Sequence, residues 1–370
     1  MICDYQSRVY LFNYVYGSLS VRLSTFSTGY KHLAALLLLV SVCQLSLADS
    51  SYDAEGARRA QDAGALLIGK PGPVAVLKTI DGEEIDLSKL YGKKPVYLKF
   101  WATWCVPCRQ QMPGFEKIQK TLGDQIEVIA VNTGFSDDLD AVLAYRKELG
   151  LTMPIVIDDG SLAAELNLRV TPQHVLIDRS GRISYVGHLD DQALHAALQK
   201  ALAPEAQKTV QISTEQTDAA PVFALGDHVT GLQVTTIDGA NIDLGETTSG
   251  KAKALVFFAP WCESYLEESR PQTSKACLRV RESVETMLGQ RDIEWLGISS
   301  GLWATKADVL DYQKTTQTKL PLVLDANDAL FRAFAIREIP SVVLIDAKGR
   351  VSKVVGPQDT QLRDAVQALR

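Results

Sequence analysis

The chain has 370 residues, which predicts two globular domains at a usual size of roughly 100 to 200 residues per domain. Hydrophobic residues make up 46% and charged residues 22%, an ordinary balance for folded protein that gives no support to disorder or a fibrous repeat. The formal net charge of −6 lacks the basic excess of nucleic-acid-binding proteins, so nucleic acid is not an expected partner.

The first feature along the chain is an apolar run, LAALLLLVSVC at 33–43, which follows Lys31. It is shorter than the roughly 20 apolar residues of a spanning helix and is typical of a secretory signal. Ser46 and Ala48 then supply the small residues that precede a signal-peptidase cleavage point. We therefore predict a signal peptide over 1–48 and a periplasmic protein, with a cleaved signal favoured over an N-terminal membrane anchor.

The segment before the apolar run is long for the N-terminal region of a signal peptide, so the true translation start stays open. Of the six cysteines, Cys3 and Cys43 would be removed with the signal, and an even number, four, would remain in a compartment that permits disulfides.

The segment predicted as the first domain, 49–203, alternates short strands with helices. Runs rich in β-branched residues predict strands at 96–100, 126–132, 154–158, 175–178 and 182–187. Apolar residues at helical spacing predict helices between them, and a further helix is predicted over 192–202. This alternation is typical of an α/β domain in which a central mixed sheet is flanked by helices.

A Cys-x-x-Cys pair, Cys105 and Cys108, follows the first of these strands and opens a helix. In this context two thiols form a redox couple, because one attacks a substrate disulfide and the other resolves the mixed disulfide. Cys105 faces the positive end of the helix dipole, which favours its thiolate, so Cys105 is predicted as the nucleophile and Cys108 as the resolving cysteine. Pro107 lacks an N–H, which costs little in a first helical turn.

Other roles for this pair have less support. A zinc site would need two further ligands, and the next histidine, His174, stands alone. A c-type haem attachment would need histidine where Arg109 stands. A purely structural disulfide would close only a two-residue loop, which adds little stability. No metal and no cofactor are therefore expected.

Three segments, FWATWCVPC at 100–108, Val170-Thr171-Pro172 and the LID-x-x-GR hairpin at 176–182, resemble the TlpA/ResA-like family of exported thioredoxin-fold thiol-disulfide oxidoreductases. The likeness covers most of 72–203 and, more weakly, 221–370. It implies a cis peptide bond before Pro172 and a substrate chain that pairs with the backbone of Thr171. Trp104, Pro107, Thr171 and Pro172 are accordingly assigned to substrate binding. The alternative for Pro172 is an ordinary proline at a strand edge.

Lys99 departs from the pattern of cytosolic thioredoxins, which carry a proton-relaying acid six residues before the first cysteine. A lysine beneath the pair would favour thiolates by its charge, or its ammonium group would extend outward to solvent along the strand. We expect the outward arrangement. Proton transfer then has no assigned residue, and Glu116 and the acids of the 81–86 segment are candidates.

Residues 204–220 are polar without helical periodicity and predict a linker. The chain then repeats itself, because Trp104-Cys105 recurs as Trp261-Cys262 and the DGxxIDL segment at 81–87 recurs at 238–244. Strands are predicted at 254–258, 293–299, 320–325, 341–346 and 350–356, with a last helix near 361–369. The predicted fold is therefore two tandem thioredoxin-like domains, the second over 221–370.

The second copy has an altered site, because Tyr265 replaces the resolving cysteine and the standard redox cycle cannot run there. A cis-proline candidate recurs at Ile339-Pro340, so a groove formed by Trp261, Ile339 and Pro340 is expected to persist. Pro271 is able to break the following helix, which would let Cys277 bond to Cys262. A buried free thiol at Cys277 is the alternative.

Together these features predict a periplasmic thiol-disulfide oxidoreductase that reduces disulfides of exported proteins through Cys105 and Cys108. The resemblance implies substrates such as apocytochrome c and a membrane thiol donor as reductant. The motif does not fix the direction of electron flow. The alternative function is a redox-sensing, client-binding or chaperone-like module that uses the degenerate second domain. The sequence does not identify the physiological substrate, the electron donor or the oligomeric state.

Overall fold

The structure is a computed structural model that describes residues 52–203, 221–290 and 292–369. The predicted signal peptide over 1–48 and the predicted linker over 204–220 lie outside the described residues. Among the helices of the described part, none is both long enough and apolar enough to cross a membrane.

The first half of the described chain is built on a five-stranded mixed sheet with the strand order β5-β4-β3-β6-β7. Strand β3 runs parallel to β4 and antiparallel to β6, so it is the central strand. The elements in chain order are α1 (52–65), β1 (Val76–Lys78), β2 (Glu84–Asp86), β3 (Val96–Trp101), α2 (Val106–Leu122), β4 (Glu127–Asn132), α3 (Leu139–Leu149), β5 (Ile155–Ile157), α4 (Ser161–Glu165), β6 (Gln173–Ile177), β7 (Ile183–Gly187) and α5 (Gln192–Leu202).

The second half repeats this arrangement with the strand order β12-β11-β10-β13-β14. Its elements are β8 (Gln233–Thr235), β9 (Asn241–Asp243), β10 (Ala252–Phe258), α6 (Cys262–Ser269), α7 (Pro271–Met287), β11 (Ile293–Ser300), α8 (Lys306–Thr316), β12 (Leu322–Asp325), α9 (Ala329–Ala333), β13 (Ser341–Ile345), β14 (Val351–Val355) and α10 (Leu362–Gln367). The predicted fold class, two α/β domains each with a central mixed sheet between helices, is confirmed.

Burial explains why β3 occupies the centre. All six of its residues are buried, as expected for a strand whose two faces are both covered. Tyr97 and Trp101 point to the face packed by α2, together with Met112 and Phe115. The disulfide at the start of α2 therefore lies directly beyond the end of a rigid, fully buried strand.

The long helix of the first domain is interrupted in the second, and the interruption lies at a proline. Helix α6 ends at Ser269 and α7 begins at Pro271, with Arg270 in a non-helical conformation (φ −141°, ψ 64°). Proline suits the first position of a helix because its missing N–H has no partner there. The break turns the chain back, so the Cα atoms of Cys262 and Cys277 lie 6.3 Å apart and the two sulfurs are bonded.

The structure also holds elements that the sequence patterns did not predict, namely α1, the hairpins of β1 with β2 and of β8 with β9, and the short helices α4 and α9. The hairpin strands have only three residues each, which is too few to show a period of two. Helices α4 and α9 have five residues each, too few for a helical face to be visible in the sequence.

Candidate active site

The candidate site of the first domain is the disulfide between Cys105 and Cys108 at the start of α2. Cys105 is the N-cap residue of the helix, and its Sγ accepts a hydrogen bond of 3.2 Å from the backbone N–H of Cys108. Such N–H groups have no partner inside the helix, and they stabilise negative charge together with the helix dipole. The geometry therefore favours a thiolate at Cys105 when the bond is reduced.

The loop before Cys105 is fixed by Trp104 and by a buried carboxylate that the sequence did not reveal. The indole N–H of Trp104 donates to the carbonyl of Phe135 at 2.8 Å. Asp137 accepts hydrogen bonds from the backbone N–H of Thr103 (2.7 Å) and from the side-chain amide of Asn132 (2.8 Å). Asp137 lies 34 residues from Thr103, and nothing in the local sequence pattern signals this contact.

A cis peptide bond joins Thr171 to Pro172, and both residues are buried. The carbonyl of Pro172 accepts a hydrogen bond of 2.7 Å from Nδ1 of His188. Burial lowers the pKa of His188. Helix α1 covers this histidine from outside, and only glycine fits at position 56, because a Cβ there would collide with the His188 ring.

The expectation that Lys99 extends outward to solvent is wrong. Its side chain has no exposed surface, because β3 is the central strand and both of its faces are covered. Its Nζ lies 3.5 Å from Oε1 of Gln111, and it stands 5.3 Å from the ring centre of Phe115. Burial lowers the pKa of Lys99 to about 7, partly opposed by the negative charge of Asp190.

Lys99 belongs to a buried polar network that the sequence did not predict. Nε2 of His174 lies 3.0 Å from Oε1 of Gln111, and Nδ1 of His174 lies 2.7 Å from the hydroxyl of Tyr97. Because an amide oxygen only accepts, Nε2 donates to Gln111, and Nδ1 accepts from the Tyr97 hydroxyl. Burial keeps the pKa of His174 well below its usual value, with a further contribution from Lys99, so the ring is neutral.

Glu116 and the acids of the 81–86 segment, the candidate proton sources named from the sequence, stay candidates, and three of them have structural partners. Glu116 accepts hydrogen bonds from the backbone N–H and the hydroxyl of Thr152, at 2.9 Å and 2.8 Å. In the 81–86 segment, Asp81 pairs with Arg146, and Asp86 accepts from the N–H of Ser88. Glu116 and Asp81 therefore join segments that are distant in sequence, and Asp86 caps the short helix at Leu87–Lys89.

The altered site of the second domain lies against the first domain. The ring of Trp261 stacks on that of Trp104, with ring centres 5.2 Å apart, and the hydroxyl of Tyr265 accepts from the N–H of Val106 at 3.2 Å. The bond between Ile339 and Pro340 is cis. The three residues assigned to the second groove are Trp261, which is half-buried, and Ile339 and Pro340, which are both buried.

The redox disulfide is enclosed in this arrangement. Cys105 is 1% exposed, Cys108 is fully buried, Pro107 is buried and Trp104 is 3% exposed. Val106, between the two cysteines, is 49% exposed. In the described ranges of the chain, no three His, Cys, Asp or Glu side chains meet in a way that suits a metal ion.

Comparisons with known proteins agree with this geometry. The Redoxin family model matches residues 67–202 and again 215–369. Over 133 residues the chain is 39% identical to the thioredoxin-like protein YneN of Bacillus subtilis, which covers 35% of this chain and 78% of that protein. Over 163 residues it is 32% identical to the thiol-disulfide oxidoreductase ResA of the same organism, which covers 43% of this chain and 86% of ResA.

Among solved structures, a thiol:disulfide interchange protein of the thioredoxin family from Chlorobium tepidum is similar to the chain at 28% identity. The match covers 36% of this chain and 97% of the other, with a TM-score of 0.32.

Proposed function

Because the chain belongs to the Redoxin family over both of its halves and is a thiol-disulfide oxidoreductase like its relative ResA, we propose that its Cys105–Cys108 couple reduces disulfide bonds in exported proteins. The family membership confirms the resemblance first seen in the FWATWCVPC segment. The proposal adds the direction of electron flow, the roles of the two cysteines, the periplasmic location and the class of substrate.

The proposed cycle has two exchange steps. In the reduced protein the Cys105 thiolate attacks one sulfur of the substrate disulfide, which forms a mixed disulfide and releases the other substrate sulfur as a thiolate that takes a proton from water. Cys108 then loses its proton to water and attacks Sγ of Cys105 as a thiolate, and the second substrate sulfur leaves as a thiolate that takes a proton from water. The substrate gains two electrons, and the first domain is left with the Cys105–Cys108 disulfide.

The hydrogen bond from the Cys108 N–H to Sγ of Cys105 is the observation that carries these roles. It is made at the start of α2, where the helix dipole also favours negative charge, so the first cysteine is the better thiolate. Trp104, Pro107, Thr171 and Pro172 are proposed to form the substrate groove beside it.

A protein that returns to the disulfide after each turnover needs a source of electrons. We propose a membrane thiol donor as reductant and exported protein disulfides, such as those of apocytochrome c, as substrates. The apolar run at 33–43 supports an exported location, because it fits a secretory signal.

The test is reduction of insulin disulfides with dithiothreitol as electron source, followed by the turbidity of the released chain. The native protein is expected to accelerate the reaction, and Cys105→Ser is expected to lower the rate to that of the protein-free reaction. Full activity in Cys105→Ser would contradict the assigned nucleophile. Equilibration with glutathione buffers then measures the reduction potential, and a value close to that of DsbA, about −120 mV, would contradict a reductase.

The alternative function, a redox-sensing or chaperone-like module, requires the second groove to be open to a client. Trp261 is stacked on Trp104 of the first domain, and Tyr265 is bonded to Val106. This contact covers the sites of both domains, so the enzyme is the better supported function because the chain matches the Redoxin family and the thiol-disulfide oxidoreductase ResA.

A further inference from the structure

The two domains contact each other through equivalent surfaces, one from each domain. The N–H of Ser136 in the first domain donates to the carbonyl of Arg337 in the second at 2.7 Å. In return, the N–H of Trp303 in the second domain donates to the carbonyl of Arg169 in the first at 3.0 Å. The stacked tryptophans, Trp104 and Trp261, donate to the carbonyls of Phe135 and Leu302, the residues that directly precede these two donors.

These partners occupy equivalent positions in the two copies. Arg169 and Arg337 each lie three residues before the cis proline of their domain. Ser136, in the loop after β4, and Trp303, in the loop after β11, both have a left-handed backbone, with φ of 55° and 56°. The interface therefore resembles that of a two-fold symmetric dimer, in which one patch meets a copy of itself.

Side chains of the second domain fill the substrate groove of the first at two points. The indole N–H of Trp303 donates to the hydroxyl of Thr171 at 3.2 Å, beside the cis proline, and its ring packs on His188 with centres 5.6 Å apart. At the other end, the Tyr265 hydroxyl covers the N–H of Val106 between the two cysteines. A substrate chain would need both places.

Two charged contacts hold the second domain in this position. Arg270, in the break between α6 and α7, donates to Asp137 at 3.0 Å and to the hydroxyl of Thr103. Arg59 of α1 pairs with Asp308 at 2.9 Å and lies over the ring of Trp303. The carboxylate of Asp137 has no exposed surface, so its bond to Arg270 is screened little by solvent.

We propose that the second domain is a cap that competes with the substrate for the surface around Cys105 and Pro172. The surface of the cap is formed by Trp261, Tyr265, Arg270 and Trp303, and its partner is the groove of the chain's own first domain. Because the two cannot be bound at once, an extended cysteine-containing segment of a substrate binds only when the cap has moved away. This inference rests on the proposed function for the identity of the competitor, but the closed contact itself is independent of turnover.

The first test measures access to Cys105. Full-length protein is reduced, and the rate of Cys105 alkylation by iodoacetamide is followed by peptide mass spectrometry in native protein, Trp303→Ala, Arg270→Met and the control Val354→Ala. Val354 is exposed on β14 and makes none of these contacts. Each cap variant is expected to be alkylated about tenfold faster than native protein, since it raises the open fraction, and the control at the native rate.

Equal alkylation rates in native protein and both cap variants would overturn the cap. Unfolding is separated from opening by Cys277, which is buried in the second domain and becomes a free thiol when its bond to Cys262 is also reduced. The open form keeps the slow alkylation of Cys277, whereas rapid alkylation of both Cys105 and Cys277 in a cap variant would show that the contact holds the fold together and would count against a movable cap.

The second test asks whether a bound substrate displaces the cap. Insulin is trapped on Cys108→Ser protein as a mixed disulfide, and hydrogen exchange is compared with that of the untreated variant. The N–H groups of Ser136 and Trp303 are expected to exchange faster in the trapped form, because both bond across the interface. Unchanged protection in trapped protein would overturn the cap, whereas failure to trap any insulin would count against the proposed function and leave the alkylation test intact.

Discussion

The two domains share the backbone frame of the site, which consists of a hydrogen-bonded tryptophan and a cis proline. They differ in the buried residues of the central strand below it. In each domain, the indole N–H of the tryptophan before the first cysteine donates to a backbone carbonyl in the next loop of the site. Trp104 donates to Phe135, after β4, at 2.8 Å, and Trp261 donates to Leu302, after β11, at 2.9 Å. Each domain also has a cis proline. The frame of the site therefore persists in the copy that has exchanged its resolving cysteine for Tyr265.

The two central strands differ in one buried pair of residues beneath that frame. In the first sheet, Lys99 lies opposite His174 across the antiparallel pair of β3 with β6. In the second sheet, Val256 lies opposite Val342 at the same place, between β10 and β13. Burying a lysine is unfavourable because it leaves water. The comparison teaches that a buried lysine at this position accompanies the complete cysteine pair and is replaced by valine where the pair is lost.

The largest effect is expected from removing the buried amine with Lys99→Met. Because the folded-state pKa is about 7 and the ordinary value is 10.5, the unfolded chain binds an extra proton between these pH values. Native stability therefore rises from pH 7 to about 10.5, and below pH 7 the destabilisation by Lys99 is complete. Lys99→Met should stabilise the protein at pH 6 by on the order of a few kcal/mol, a gain that fades toward pH 10.5.

Urea unfolding at several pH values measures this gain. The matched control is Lys353→Met, at an exposed lysine of β14, which should change stability by less than about 0.5 kcal/mol at every pH. The reciprocal change, Val256→Lys, should destabilise the second domain most at low pH. A Lys99→Met protein that is less stable than native at pH 6 would contradict the account of the buried amine.

A smaller effect is expected from removing the second disulfide with the double variant Cys262→Ser/Cys277→Ser. The bond closes a loop with a sequence separation of 15 residues, and the chain-entropy model gives about 3 kcal/mol for such a loop. Unfolding in urea should show this loss, whereas insulin reduction at 25 °C should continue at a rate comparable to that of the native protein. Loss of the redox activity in a variant that is still folded would show that the second disulfide takes part in the chemistry.

The smallest effects are expected from removing the two tryptophan hydrogen bonds that the domains have in common. Trp104→Phe and Trp261→Phe each remove one indole hydrogen bond, and each should destabilise the protein by about 1 kcal/mol. Because the two rings stack on each other, a double-mutant cycle with Trp104→Ala and Trp261→Ala, which removes the rings, should show a coupling of roughly 0.5–1.5 kcal/mol. Strictly additive losses would indicate that the rings do not pack against each other in solution.

The sequence predicted those features that local patterns encode. The duplication, the α/β fold, the strand-to-helix setting of Cys105 and the break at Pro271 all follow from short-range signals, and the helix predicted over 192–202 has the same bounds in the structure. Long-range contacts left no such signal. The partnership of Lys99 with Gln111 and His174 depends on sheet register and on burial of the central strand, and the outward lysine expected from its length was wrong for that reason.

The contact between the domains was also beyond local patterns. Trp261 was identified as part of a groove, but its partner Trp104 lies in the other copy. Trp303 and Arg270 carried no motif at all, and they become notable only because folding brings them to Thr171 and Asp137.

The central claim is that redox chemistry belongs to Cys105 of the first domain and that the second domain has lost it. Full-length Cys108→Ser protein, reduced and then mixed with insulin, tests this claim directly, because a mixed disulfide formed in the first step cannot be resolved. Peptide mass spectrometry is predicted to find insulin attached to Cys105 and to no other cysteine. Insulin attached to Cys262 or Cys277, with Cys105 unmodified, would contradict the claim.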